Sequence, residues 1–199
     1  MMNMLRGGPL SYHHYPIFPA APSAPRFFIS SGHGFSSLDP LGAFDVALAN
    51  AKIANYNLVK ISSILPMGAS RQDKIDAPLG SPIWTAYATV ASNSPGAILA
   101  TAVAVGLPKD LYSIGVIMET SATMDQAQKI ITSNRFDLDY RARELASALE
   151  AKIKQMTESA MHLRDIPLKE VIVSSTFATV PDKLDNPPHV SLISAVCIW

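Results

Sequence analysis

Four short apolar runs follow one another along the middle of the chain, at 57–66, 83–91, 97–105 and 112–119. Turn-forming stretches separate them, among them Asn93-Ser94-Pro95-Gly96 and Gly106-Leu107-Pro108-Lys109-Asp110. Runs of this length with β-branched residues, punctuated by Pro and Gly, read as strands. The Ala-rich part, 97–104, also suits a helix by composition. What flanks this block is of another kind. Asp39-Pro40 signals a helix start, with Asp39 as N-cap and Pro40 in the first turn. The helix is predicted over 41–54, with Phe44, Ala47, Leu48 and Ala51 on one stripe. Thr123 is a second cap, opening helical spacing over 124–133 and 137–156, with a break at Ser133-Asn134. Further strands are expected at 27–30, 168–179 and 190–199. Residues 32–37 and 67–80 are expected to be loops, and Pro-rich 181–188 a connection. Strand and helix, then a run of strands, helices and final strands give α+β: a layered αββα-type sandwich of antiparallel sheets covered by helices.

The run at 57–66 carries two adjacent hydroxyls near its end, Ser62 and Ser63. On a strand, alternation exposes one and turns the other inward. A strand end with both hydroxyls bonded to backbone is the plain interpretation. Ser30-Ser31, Ser36-Ser37 and Ser174-Ser175 repeat the dipeptide, so the pair alone identifies nothing.

With 199 residues, the chain suits one domain, here 26–199, preceded by an arm over 1–25 rich in Pro, Gly, Ser, His and Tyr. His13-His14 in that arm lack partners in register for a metal and read as solvated. The arm has no continuous apolar core, so neither signal peptide nor membrane span is expected. Net charge is zero and the basic residues are scattered, which leaves no electrostatic case for nucleic acid or an anionic membrane. Charged residues are only 16% of the chain against 48% apolar, compatible with surface covered by partner subunits. The single Cys197 excludes an intrachain disulfide and lies in an apolar run, where a buried, inert thiol is expected. An unstapled chain fits a reducing cytoplasm.

A set of blocks in order carries more information than any one of them. Leu41-Gly-Ala-Phe-Asp45-Val-Ala-Leu48 is followed by Asn57-Leu-Val-Lys-Ile-Ser62-Ser63-Ile-Leu-Pro66. Thr85-Ala-Tyr87, Pro95-Gly96, Leu107-Pro-Lys-Asp110 and Gly115-Val-Ile-Met-Glu119 come next. In order and spacing the set resembles the pyruvoyl-dependent arginine decarboxylase family, over about 27–160. The N-terminal arm and the 169–188 region depart from it.

Removing CO2 from an amino acid leaves a carbanion, which needs an electron sink that no unmodified side chain provides. The resemblance implies a sink made from the chain: a covalent pyruvoyl group derived from Ser63, with no pyridoxal phosphate and no metal. The Ser63 hydroxyl would attack the Ser62 carbonyl, turning amide into ester. Elimination to dehydroalanine and hydrolysis would then release ammonia. The products would be a β chain, 1–62, and an α chain, 63–199. Asn57 matches the family's processing asparagine, although Asn before a strand also simply ends a turn. Glu119 matches its proton donor, although a strand-end Glu is ordinarily exposed. Asp45 matches the residue associated with the substrate guanidinium, although an acid early in a helix also suits the helix dipole. His33 and Trp84 are candidates for the neighbourhood of the site, without roles. The resemblance further implies arginine as substrate, agmatine as product, and trimers or paired trimers with sites between subunits. Two other readings stay open: the same scaffold acting on ornithine, lysine or aspartate, and an unprocessed assembly or regulatory protein.

Overall fold

The computed structural model describes residues 25–124, 138–182, 184 and 186–199. The arm over 1–24 and the expected helix and break over 125–134 lie outside them. Strands β1 (Arg26–Ser36), β2 (Asn57–Lys60), β3 (Ile64–Leu65), β4 (Ser70–Arg71), β5 (Pro82–Ser92), β6 (Ile98–Pro108), β7 (Gly115–Met124), β8 (Leu168–Thr179) and β9 (His189–Ile198) form two sheets. The first runs β2-β5-β9-β1-β4 and the second β3-β7-β6-β8. Helix α1 (Pro40–Asn50) covers the outer face of the first, and α2 (Leu138–His162) that of the second. This is the expected four-layer α+β sandwich. Pairing is antiparallel except at two edges, where β4 joins β1 and β2 joins β5 in parallel.

Between the sheets, Phe27, Ile29, Ala86, Val196 and Ile198 of the first meet Leu65, Val103, Val105 and Ile117 of the second. Each fully buried Ile, Leu or Phe there contributes on the order of 1.5–3 kcal/mol. Polar side chains also cross this layer. The Ser31 hydroxyl donates to Ser194 Oγ at 2.8 Å and lies 2.8 Å from Ser174 Oγ, while Ser194 Oγ is 2.9 Å from Thr101 Oγ1. Cys197 is fully buried as expected, and burial pushes its thiol up to about 12 despite a bond from Thr85 Oγ1.

Five expectations change. Residues 32–36 are strand, not loop: Gly32 and Gly34 are the points where α1 presses onto β1. A Cβ at Gly34 would lie 2.3 Å from the Ala43 carbonyl oxygen, and one at Gly32 2.4 Å from that of Ala47. These glycines permit close approach of a helix rather than a turn. Helix α1 starts at Pro40 under the Asp39 cap, whose carboxylate accepts from Gly42 N–H at 2.7 Å, and ends at Asn50 rather than 54. The stretch 67–80 is not all loop, because Ser70–Arg71 pairs with the start of β1. Thr123 caps no helix; it lies in β7 opposite Leu99, so that Glu119 is in mid-strand rather than at a strand end. Helix α2 also runs further than expected, to His162.

Candidate active site

The run 57–66 is not one strand. Its first part, β2, lies beside β5 in the first sheet, and its last part, β3, lies beside β7 in the second. Residues 61–63 carry the chain from one sheet to the other. Isoleucine 61 still donates its N–H to the Thr85 carbonyl, at 3.1 Å, while the Ser63 carbonyl already accepts from Ile117 N–H of β7, at 2.8 Å. The Ser62–Ser63 peptide therefore sits at the crossing itself, at the open edge of the sandwich where β2 and β3 are the outermost strands.

Local geometry separates the two serines. Ile61 and Leu65 both pack into the core between the sheets, with Ser63 midway between them. Ser63 is half-buried and Ser62 exposed. The Ser62 carbonyl is not free: Ile64 N–H donates to it at 2.9 Å. This closes a three-residue turn about Ser63, whose φ is not positive, as in the inverse γ-turn common where strands begin.

Glu119 follows Ile117 by two positions on β7 and lies opposite Val103. Ile117 and Val103 both face the core between the sheets, so Glu119 shares their face. The offset along the strand is about 7 Å from the residue paired with Ser63. Although the residue is half-buried, its Oε2 is shut off from solvent and has no hydrogen-bond partner among the described residues. Burial pushes the Glu119 carboxyl above the usual carboxylate range, against a weaker opposing pull from the Lys60 ammonium. Lys60, at the end of β2, also lies over the Tyr87 ring, 4.8 Å from its centre. An unbonded, partly desolvated carboxyl beside a polypeptide crossing is suited to handing over a proton. A group formed from Ser63 fits here: it would lie half-buried at the crossing, beside the strand that carries this oxygen.

The other residues singled out from the sequence fall elsewhere. Asn57 begins β2 and is exposed; its side-chain amide donates to the Gly80 carbonyl at 2.6 Å, and its N–H to Ser81 O at 3.0 Å. It ties the entry of β2 to the turn before β5. Asp45 is exposed on α1, which lies on β1 and β9 across the outer face of the first sheet. No contact among the described residues joins it to Ser63. His33 is at the far edge, its ring 3.2 Å from Thr176 Oγ1 in a cleft of about 380 Å³ shared with Arg143, Glu150 and Ser175. Trp84 is near the crossing, opposite Val59, and partly exposed on the core-facing side of β5. Sequence reasoning overlooked Lys60 and the main-chain donors of Ile64 and Ile117. Lys60 stands two residues before the serines, a visible signal; a backbone N–H leaves none.

The family model for pyruvoyl-dependent arginine decarboxylase matches residues 26–197. A protein named pyruvoyl-dependent arginine decarboxylase from Methanococcus aeolicus is 48% identical over 84 residues, 42% of this chain and 51% of that one. Its namesake from Thermococcus kodakarensis is 33% identical over 144 residues, 72% of this chain and 78% of that one. That of Pyrococcus abyssi is 32% identical over 145 residues, with the same shares. The match to the methanococcal relative thus spans only about half of its length, whereas the other two, of lower identity, are matched over most of theirs. With a family match across nearly the whole described sandwich, the chain belongs to the pyruvoyl-dependent arginine decarboxylase family.

Proposed function

We propose that the chain cleaves itself between Ser62 and Ser63 and then decarboxylates L-arginine to agmatine and CO2. The observation that carries this reading is the sheet-to-sheet crossing at Ser62–Ser63, bonded to β7, together with the buried Oε2 of Glu119 on that strand, which has no hydrogen-bond partner among the described residues. Ser63 is the hydroxyl that attacks and the source of the pyruvoyl group; Ser62 contributes its carbonyl. The pyruvoyl terminus supplies the electrophilic carbonyl that takes up the electrons CO2 leaves behind. Glu119, whose carboxyl burial makes a weaker acid, returns a proton to the carbon that has lost CO2. Asn57 assists processing by fixing the start of β2 through Gly80, which sets the path of the chain into the crossing.

Asp45 is the proposed guanidinium ligand, a carboxylate able to take two N–H groups side by side. It lies on the helix over the outer face of the first sheet and Ser63 at the crossing between the sheets, which favours a site completed by a second copy. We infer a homo-oligomer, a trimer or hexamer of processed protomers, working in the cytoplasm, with no role in binding nucleic acid. Among the described residues no helix is long and apolar enough to cross a membrane.

Intact-mass analysis and an agmatine assay on the purified protein test the reading together. Two chains ending at Ser62 and beginning with a blocked residue 63, and CO2 release that borohydride abolishes, are the expected results. Active protein of full translated mass overturns it. Formation of another amine, with no agmatine, overturns the arginine assignment alone. Within that assignment, Asp45→Asn raises KM for arginine by ~10-fold or more while leaving self-cleavage complete.

A further inference from the structure

The Ser62 carbonyl has to become an oxyanion if the neighbouring hydroxyl attacks it, and an amide carbonyl yields to that attack slowly without a donor in place. The donor seen at that oxygen is not a side chain. The Asn57 amide is engaged with Gly80, at the other end of β2. The Ile64 N–H is 2.9 Å from it. Nor is this N–H a spare member of the strand ladder. Ile117 N–H bonds the Ser63 carbonyl, which makes Ser63 and Ile117 a hydrogen-bonded pair; the next pair, Ile64 and Val116, is then of the kind whose backbone groups point away from each other. Ile64 N–H thus faces off the edge of the second sheet, where β3 is outermost, and turns back onto Ser62. The following carbonyl is clamped to β7, so the Ser62 oxygen is held against its donor by the fold rather than by a mobile side chain.

We propose that the Ile64 main-chain N–H is the oxyanion donor of the self-cleavage step. This deepens the proposed function and rests on its cleavage site. In the step, Ser63 Oγ bonds to the Ser62 carbonyl carbon and the carbonyl π pair moves onto oxygen, where Ile64 N–H receives it. The pair then returns as the C–N bond breaks, its electrons going to the Ser63 nitrogen, which takes the proton lost by Oγ. The product is an ester isomeric with the starting chain, so no co-reactant is needed. Ile64 acts through its backbone alone. Its side chain is dispensable for this, and only a change to the peptide N–H removes the contribution.

Two variants isolate it. Replacing the Ser63–Ile64 amide by an ester, through incorporation of the α-hydroxy analogue of isoleucine, exchanges N–H for O with the side chain intact. Ile64→Pro removes the same donor at an edge strand, where the ladder does not use it. Ile64→Val keeps the donor. Cleavage is followed by intact mass after synthesis, and folding by thermal unfolding, so the readout does not depend on decarboxylation. The expected result is cleavage slowed on the order of 100-fold in the ester variant and at least as much in the proline variant, with Ile64→Val near wild type. Cleavage of the folded ester variant at the wild-type rate overturns the proposal. If the wild-type chain itself stays uncut, the self-cleavage reading fails instead, so the two failures are distinct.

Discussion

Ser62 and Ser63 are chemically identical, and their surroundings assign them different work. Ser63 is half-buried at the turn between the sheets, and Ser62 is exposed. Ser63→Ala is therefore expected to leave the chain whole, since no hydroxyl remains to attack. Ser62→Thr, which keeps the carbonyl, should still yield two chains; intact mass distinguishes them. Glu119 has a pH signature of its own. Because burial raises its carboxyl above the ordinary range, the folded chain holds this proton more tightly than the unfolded chain does. Its contribution is most favourable below the unfolded value and is lost as pH rises through the raised folded one. Glu119→Gln removes that penalty. The variant should melt at higher temperature than wild type at neutral pH, with the gap closing as pH falls below the ordinary carboxylate range, while decarboxylation drops ~100-fold or more. A scan of melting temperature against pH, alongside CO2 release, checks both halves.

At the level of elements, α1 and β1 are fitted backbone to backbone. Gly32 and Gly34 read as a loop signal because glycine ordinarily marks a turn, yet here they are strand residues whose missing side chains admit a helix. Nothing local distinguishes the two uses. Gly34→Ala puts a methyl 2.3 Å from a backbone carbonyl of α1 that cannot yield without moving the helix. The expected cost is about 1–3 kcal/mol or more, seen as a lower denaturant midpoint with cleavage at Ser62–Ser63 retained. The start of α1, by contrast, was written locally. Asp39 and Pro40 specify a cap and first turn, and both do so in the fold. Thr123 offered a similar signal and was overruled, because pairing across from Leu99 extends β7 to Met124. A cap matters only where the chain is free to turn, and a neighbouring strand removed that freedom.

Across the whole molecule the two sheets are joined by apolar packing and by the hydroxyl chain Ser174, Ser31, Ser194 and Thr101. This chain links β8, β1, β9 and β6. Ser194 and Thr101 are fully buried, so removing one hydroxyl strands its partners away from water. Ser194→Ala is expected to cost about 1–3 kcal/mol, read from chemical denaturation. The sequence by itself determined the α+β class, the order of the longer strands and of the first helix, the cap of α1 and the run that holds Ser62 and Ser63, because these follow from periodicity and short-range chemistry. It did not determine that 57–66 divides between two sheets, that Glu119 stands in mid-strand with an oxygen unpartnered among the described residues, or that Asp45 lies on the helix over the outer face of the first sheet while Ser63 lies at the crossing. Those follow from which strands become edges and which faces meet, a matter of pairing between residues distant in sequence. No local pattern encodes such pairing, so the polypeptide's crossing point became visible only when both sheets were assembled around it.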